Sequence, residues 1–142
     1  MAGPLMHMVT IKADADKIYE ALSTGKGLAS FWTRDSHAEP KVGSIARFGF
    51  GGPVLEMKVE ELVPGKRVRW STHGGFDAWN RTTVTWDIKR GQDGANEVWF
   101  DHDGWPASLP AKDTASVNFT WGGVVARLKE YAETGKPVPY FP

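Results

Sequence analysis

Reactive side chains are few in this chain. Cysteine is absent, which excludes thiolate nucleophiles, disulfides and cysteine-ligated zinc. The histidines are His7, His37, His73 and His102, scattered without any paired spacing such as H-x-x-x-H, so no metal site is expected. His102 has the most interesting position, because it shares strand parity with Phe100 and stands at the end of its strand. An imidazole there, with an ordinary pKa of about 6.5, could act as a general base or anchor a polar ligand group. The competing role is a hydrogen bond that ties down the following loop, Asp103 to Pro110. No nucleophile–base–orienter set is visible, so His102 is a weak catalytic candidate. Asp101 and Glu97 alternate to the opposite face and read as solvated carboxylates, and Arg47, Arg67 and Arg69 read as outward, solubilising charges.

Seven tryptophans and seven phenylalanines are the compositional excess. They describe either a core filled with large side chains or an aromatic-lined pocket. Their spacing places most of them on strands. Phe48 and Phe50 alternate with Arg47 and Gly49; Leu55, Met57 and Val59 with Glu56, Lys58 and Glu60. Val68 and Trp70 alternate with Arg67 and Arg69, Val84 and Trp86 with Thr83 and Thr85, and Val98 and Phe100 with Glu97 and Trp99. Successive strand residues point to opposite faces, so the first-named sets share one inner surface. Trp99 is the aromatic exception on the outer side. It is expected to be covered by the C-terminal tail, or else to mark a dimer contact.

The partner for that surface is a helix read from Val117 to Gly135. Val117, Trp121, Val124, Leu128 and Tyr131 recur at steps of three and four, which puts them on one face. Gly135 is its expected C-cap, with Pro137 following. Gly122-Gly123 interrupts the apolar stripe at a cost of about 1 kcal/mol per glycine relative to alanine. Close approach to the sheet, a kink, or clearance for a ligand would each explain the pair.

In chain order, Val9 and Ile11 face inward from a first strand. Two short helices follow, one after Asp14 with Ile18 and Leu22 on its packed face, the other over Gly27 to Trp32. A short edge strand fits between Asp35 and Pro40. Gly51-Gly52-Pro53, Pro64-Gly65 and Gly91-Gln92-Asp93-Gly94 are turns between strands. His73 to Arg81 reads as a loop carrying Phe76 and Trp79, with Gly74-Gly75 making it a candidate lid. Consecutive strands on short turns imply an antiparallel sheet, and segregated helices imply an α+β domain.

The 142 residues are read as one domain, 1–142, large enough for a single core. Lys+Arg 17 against Asp+Glu 17 gives no net charge, so neither nucleic acid nor an anionic membrane is an expected partner. No apolar run is long enough to span a bilayer, and MAGPLMHM lacks signal-peptide features, so a cytoplasmic location is the expectation. Three methionines in the first eight residues leave the natural start open.

Several stretches together resemble the helix-grip fold of the START-like superfamily, which includes polyketide cyclases and the birch-pollen allergen. They are Ala15 to Leu22, Gly27-Leu28 with Phe31-Trp32, Val42-Gly43-Ser44, Glu61 to Val68, His102-Asp103-Gly104-Trp105 and the Trp121 to Gly135 helix. Their order is similar to the branch related to the activator of the heat-shock-protein-ninety ATPase, the SRPBCC or AHSA type. The resemblance implies a curved antiparallel sheet wrapped around the C-terminal helix, with a cavity between them. It implies a small, largely apolar ligand there and no cofactor, in a monomer or homodimer. The residues expected to bind it are Trp32, Phe48, Phe50, Met57, Trp70, Trp86, Phe100, His102, Trp105, Trp121 and Val125. The alternatives are a cyclase- or hydrolase-type enzyme using the cavity histidine, and a chaperone-associated or other interaction module. The co-chaperone relative carries a further N-terminal domain for which this chain has no room. A large void between Phe48, Trp70, Trp86 and Phe100 would favour binding, polar groups converging on His102 catalysis, and a filled interior with an apolar outer patch interaction.

Overall fold

The structure is a computed structural model that describes residues 3–142. Strand β1 (Leu5–Ile11) leads into helices α1 (Ala15–Ser23) and α2 (Gly25–Phe31). The strands β2 (Ser36–His37), β3 (Ile45–Gly49), β4 (Val54–Val63), β5 (Arg67–Gly74), β6 (Thr83–Arg90) and β7 (Asn96–Asp103) follow, and α3 (Ala111–Thr134) comes last. The seven strands form one antiparallel sheet in the order β1-β7-β6-β5-β4-β3-β2. The two short helices carry the chain from one edge of the sheet to the other, and the strands then meander back until β7 pairs with β1. This is the expected α+β helix-grip architecture, with α3 packed against β1 and α2.

Alternation accounts for nearly the whole inner face. Phe48, Leu55, Met57, Val59, Val68, Trp70, Val84, Trp86, Val98 and Phe100 are buried, and Trp121, Val124, Val125 and Leu128 meet them from α3. Strand β4 breaks the simple rule. A register shift between Val59 and Glu61 inserts an extra residue against β5, which rephases the strand. Glu61 is thereby turned outward to Arg67, whose guanidinium also binds Asp87 at 2.7 Å.

Three details depart from the sequence reading. Helix α3 starts six residues before Val117, behind Pro110, with Asp113 in its first turn. Proline before a helix and an acid near its positive end are the local reasons. Gly135 does cap the other end, in the left-handed conformation at φ 75°. Strand β5 runs on to Gly74, and a single helical turn, Asp77–Trp79, occupies the expected loop. Finally, the tail does not cover Trp99. It runs beside the end of α2, where the Tyr140 and Phe141 N–H groups donate to the carbonyls of Phe31 and Trp32 at 3.1 and 2.9 Å. Trp99 stays 36% exposed, its N–H on Glu97 at 3.0 Å and the Lys89 ammonium 5.5 Å above its ring.

The glycine pair has two separate explanations. A Cβ on Gly122 would make ordinary contact with the His7 ring at 3.4 Å. A Cβ on Gly123 would stand 2.3 Å from the Tyr140 ring. Neither glycine clears space for a ligand: the tail, not the sheet, is what approaches the helix at Gly123.

Candidate functional site

The interior between sheet and helix is filled. Trp32 lies 4.3 Å from Phe48 between ring centroids, Trp121 lies 4.5 Å from Phe100, and Trp86 lies 4.8 Å from Phe100. Trp32 and Trp121 close the set at 5.0 Å. Rings at such separations leave no room between them for a ligand. The void of interest lies instead at the open end of the grip, a cleft of about 370 Å³. Trp32 from the end of α2 and Phe50 and Pro53 from the β3–β4 turn form one side. Phe76 and Trp79 from the β5–β6 connection form a second. Ser116, Val117, Thr120 and Trp121 on α3 form a third, and Phe141 of the tail completes the wall. No charged side chain among the described residues lines it.

This cleft exists because the first half of α3 stands off the sheet. From Ala111 to Thr120 the helix buries none of its side chains fully; from Trp121 onward it buries one or two per turn. Ser116 and Thr120, four residues apart and hence on one helix face, are the polar members of the lining. The Thr120 hydroxyl donates back to the Ser116 carbonyl at 3.0 Å, leaving its oxygen lone pairs as acceptors.

His102 lies behind the cleft rather than in it. It is 0% exposed. The Trp121 indole N–H donates to Nδ1 at 3.0 Å, so the ring proton must sit on Nε2, which donates to the Thr82 hydroxyl at 2.9 Å. Thr82 in turn donates to the Trp79 carbonyl, and Thr72 lies 3.1 Å from the same hydroxyl. The Trp105 indole donates to the His102 carbonyl at 2.9 Å. Burial pushes the His102 pKa down to about 3. Protonation would also place an Nδ1–H against the Trp121 N–H. A general base needs a free lone pair facing a substrate; here the one lone pair is taken. The His102 network braces Trp79, Trp105 and Trp121, and so holds up part of the aromatic wall of the cleft and ties down the loop after β7.

Of the residues expected to bind a ligand, the structure brings Trp32, Phe50 and Trp121 to the cleft. Phe48, Met57, Trp70, Trp86, Phe100 and Val125 pack the core, as does His102, and none of them lines the cleft. Trp105 is buried against the outside of the same wall, beside Trp79 and Leu109. Sequence reasoning placed Phe76 and Trp79 on a candidate lid loop but missed Pro53, Ser116, Val117, Thr120 and Phe141 as lining. The helix residues escaped because an amphipathic stripe marks what is packed, whereas Val117 and Thr120 are only half-covered and Ser116 is exposed. His7, set aside on spacing, turns inward from β1; its Nε2 and the Trp86 Nε1 are buried without a hydrogen-bond partner among the described residues.

The family model described as activator of Hsp90 ATPase homolog 1-like protein matches residues 12–133. This chain belongs to that family. Within the wider fold, the solution structure of the Aha1 dimer from Colwellia psychrerythraea is 32% identical, with a TM-score of 0.84, covering 96% of this chain and 99% of that one. The crystal structure of DynU16, from the dynemicin biosynthetic locus, is 27% identical with a TM-score of 0.76. The match covers 96% of this chain but only 49% of DynU16, so this chain spans about half of that protein's length. The Bacillus halodurans protein BH1534, at 18% identity and a TM-score of 0.78 over 93% of this chain and 98% of its own, shares the fold. No curated protein matches this chain. Membership of this family supports a ligand-binding or interaction module. No helix among the described residues is long and apolar enough to cross a membrane.

Proposed function

We propose that this chain binds a small, uncharged, flat and largely apolar molecule in the cleft at the open end of the grip. The observation that carries this reading is the lining. Six aromatic rings, one proline and one valine surround about 370 Å³, with two hydroxyls and no charge among the described residues. That volume falls within the usual range of about 300–1,000 Å³ for small-molecule sites. Aromatic surface left facing water at the bottom of a cleft is a standing driving force for association. A flat ligand entering it would stack on Phe76 or Trp79, which are only half-buried, and offer one polar group to Ser116 or Thr120. Binding is favoured over catalysis because the imidazole of His102 is used up in bracing the wall. That one relative comes from a biosynthetic locus fits a small-molecule role.

Titration with Nile red, a neutral fused-ring dye, tests this. Its emission is expected to rise on binding while tryptophan emission falls. Trp79→Ala is expected to weaken binding about tenfold, the equivalent of one aromatic contact. The anionic dye anilinonaphthalene sulfonate is expected to bind more weakly than Nile red, because the lining offers its sulfonate no cation. Failure of Nile red and a panel of neutral aromatics to bind at all would remove the reading.

A second reading, self-association, is supported by a different surface. Strand β1 is an edge strand. Its outward residues Met6 and Met8 are 55% and 47% exposed, and Met8 pairs in register with Trp99 of β7. The three form an apolar outer patch beside an unpaired strand edge, a surface that natural proteins usually blunt. The occupant it fits is a second copy of this chain, since one relative of the same length, from Colwellia psychrerythraea, is a dimer. Light scattering after size exclusion is expected to give a dimer for the unaltered chain and a monomer for Met8→Lys. A monomer without any substitution would end this reading.

A further inference from the structure

We infer that Gly123 and Tyr140 form a socket and peg that set the Phe141 wall of the cleft, so that the tail after α3 selects the ligand by thickness. This rests on the reading of the cleft as a ligand site. The starting observation is a glycine in the middle of a long helix, where alanine would be better. The Tyr140 ring lies so close to the helix backbone that a Cβ on Gly123 would be 2.3 Å from Cε2, 3.0 Å from Cδ2 and 3.2 Å from Cζ. Real Cβ atoms essentially never stand as close as the first of these, so a side chain at 123 displaces the ring.

What the ring holds is the tail. The Val138 N–H donates to the Ser30 carbonyl at 3.1 Å, and its own carbonyl accepts from Arg127 Nη1 at 3.2 Å. Phe141 is fixed at both backbone groups: its N–H donates to Trp32 at 2.9 Å and its carbonyl accepts from the Arg34 N–H at 3.0 Å. The two rings of the tail meet at 5.0 Å, and Phe141 lies edge-on to Phe50 at 5.1 Å. Phe141 therefore stands in the cleft wall beside Phe50, its backbone paired with Trp32 and Arg34 and its ring propped by the Tyr140 ring seated at Gly123. Moving Tyr140 out of its notch moves Phe141, and the cleft widens on that side. Gly122 provides the internal control. It has the same helical position to within one residue, but a Cβ there meets only the His7 ring, at 3.4 Å.

In this arrangement Phe141 touches the ligand, while Gly123 and Tyr140 are positioning residues. The experiment compares two neutral dyes, prodan, a single naphthalene, and the bulkier Nile red, on the full chain, four single variants and one double variant. Gly123→Ala, Tyr140→Ala and Phe141→Ala are each expected to bind prodan roughly two- to tenfold more weakly, one aromatic contact being lost. All three should shift the Nile red to prodan affinity ratio towards Nile red. Gly122→Ala should leave both affinities unchanged. Melting temperature separates position from mere packing: Gly123→Ala is expected to lower it in the unaltered chain but raise it in a Tyr140→Ala background, where only helix propensity remains. In that background it should change neither affinity further. If the unaltered chain binds the dyes and Gly123→Ala, Tyr140→Ala and Phe141→Ala bind them equally well, the socket has no part in the site and the inference falls. If the unaltered chain binds neither dye, the cleft itself is not a ligand site and the inference falls with it.

Discussion

Trp121→Ala is expected to lower the stability of the chain by about 3–5 kcal/mol, the usual cost of emptying a large aromatic site in a core. The residue joins α3 to everything it grips. Its ring lies 4.5 Å from Phe100 on the sheet, 5.0 Å from Trp32 after α2 and 6.0 Å from Trp79 in the β5–β6 connection. Its N–H is the donor that satisfies His102 Nδ1. Trp121→Phe separates the two contributions. It keeps most of the apolar contact but leaves a buried acceptor without a partner, worth about 1–3 kcal/mol. Urea denaturation should show both losses as a shifted midpoint with an unchanged slope. A loss under about 1 kcal/mol for Trp121→Ala would mean that the helix is held to the sheet by other residues.

The second large effect is acid sensitivity. In the unfolded chain His102 takes up a proton as pH falls through its ordinary value, about 6.5. In the folded chain burial holds it neutral down to a pKa of about 3. Between these values the unfolded state binds more protons, so stability is present above pH 6.5 and is lost as the pH falls. The loss from this group approaches about 1.4 kcal/mol per pH unit, or about 2 kcal/mol by pH 5. His102→Gln is expected to be less stable at neutral pH but to show a flatter profile between pH 7 and 5, and the difference between the two profiles isolates the imidazole. Parallel profiles would show that His102 is not the buried neutral group described. Glu133, held below the usual carboxylate range by the Lys12 N–H and the Lys129 ammonium, adds its own loss at lower pH and leaves that difference untouched. Asp101, raised by burial and by its neighbours Asp103 and Asp87, acts in the opposite direction.

Alternation and periodicity carried most of the architecture. Phe48, Trp70, Trp86 and Phe100 could be assigned to one surface, and Trp121, Val124 and Leu128 to the helix that faces it, because burial is written into which residues recur at steps of two and of three or four. The loose motifs spread along the chain pointed to the family for the same reason: turns and packing positions recur wherever the fold does. The candidate site was less legible. Periodicity identifies residues that are buried, and buried residues fill space; a cleft is lined by those that escape this. Ser116, Val117 and Thr120 lie on a half-covered helix face, and Phe141 belongs to a proline-rich tail with no period at all.

The sequence alone determined that this chain would build a curved sheet around a terminal helix, that it would carry an unusual load of aromatic rings inside, and that cysteine chemistry was closed to it. Tertiary structure decided that those rings close on one another in the middle and leave their gap at the mouth. It decided that His102 is a brace, because both its nitrogens find partners from Trp121 and Thr82, which come from different elements. It also gave Gly123 to the tail. Each of these depends on which distant segments meet, and the distance between Gly123 and Tyr140 is set by the whole fold rather than by the sixteen residues of chain that separate them.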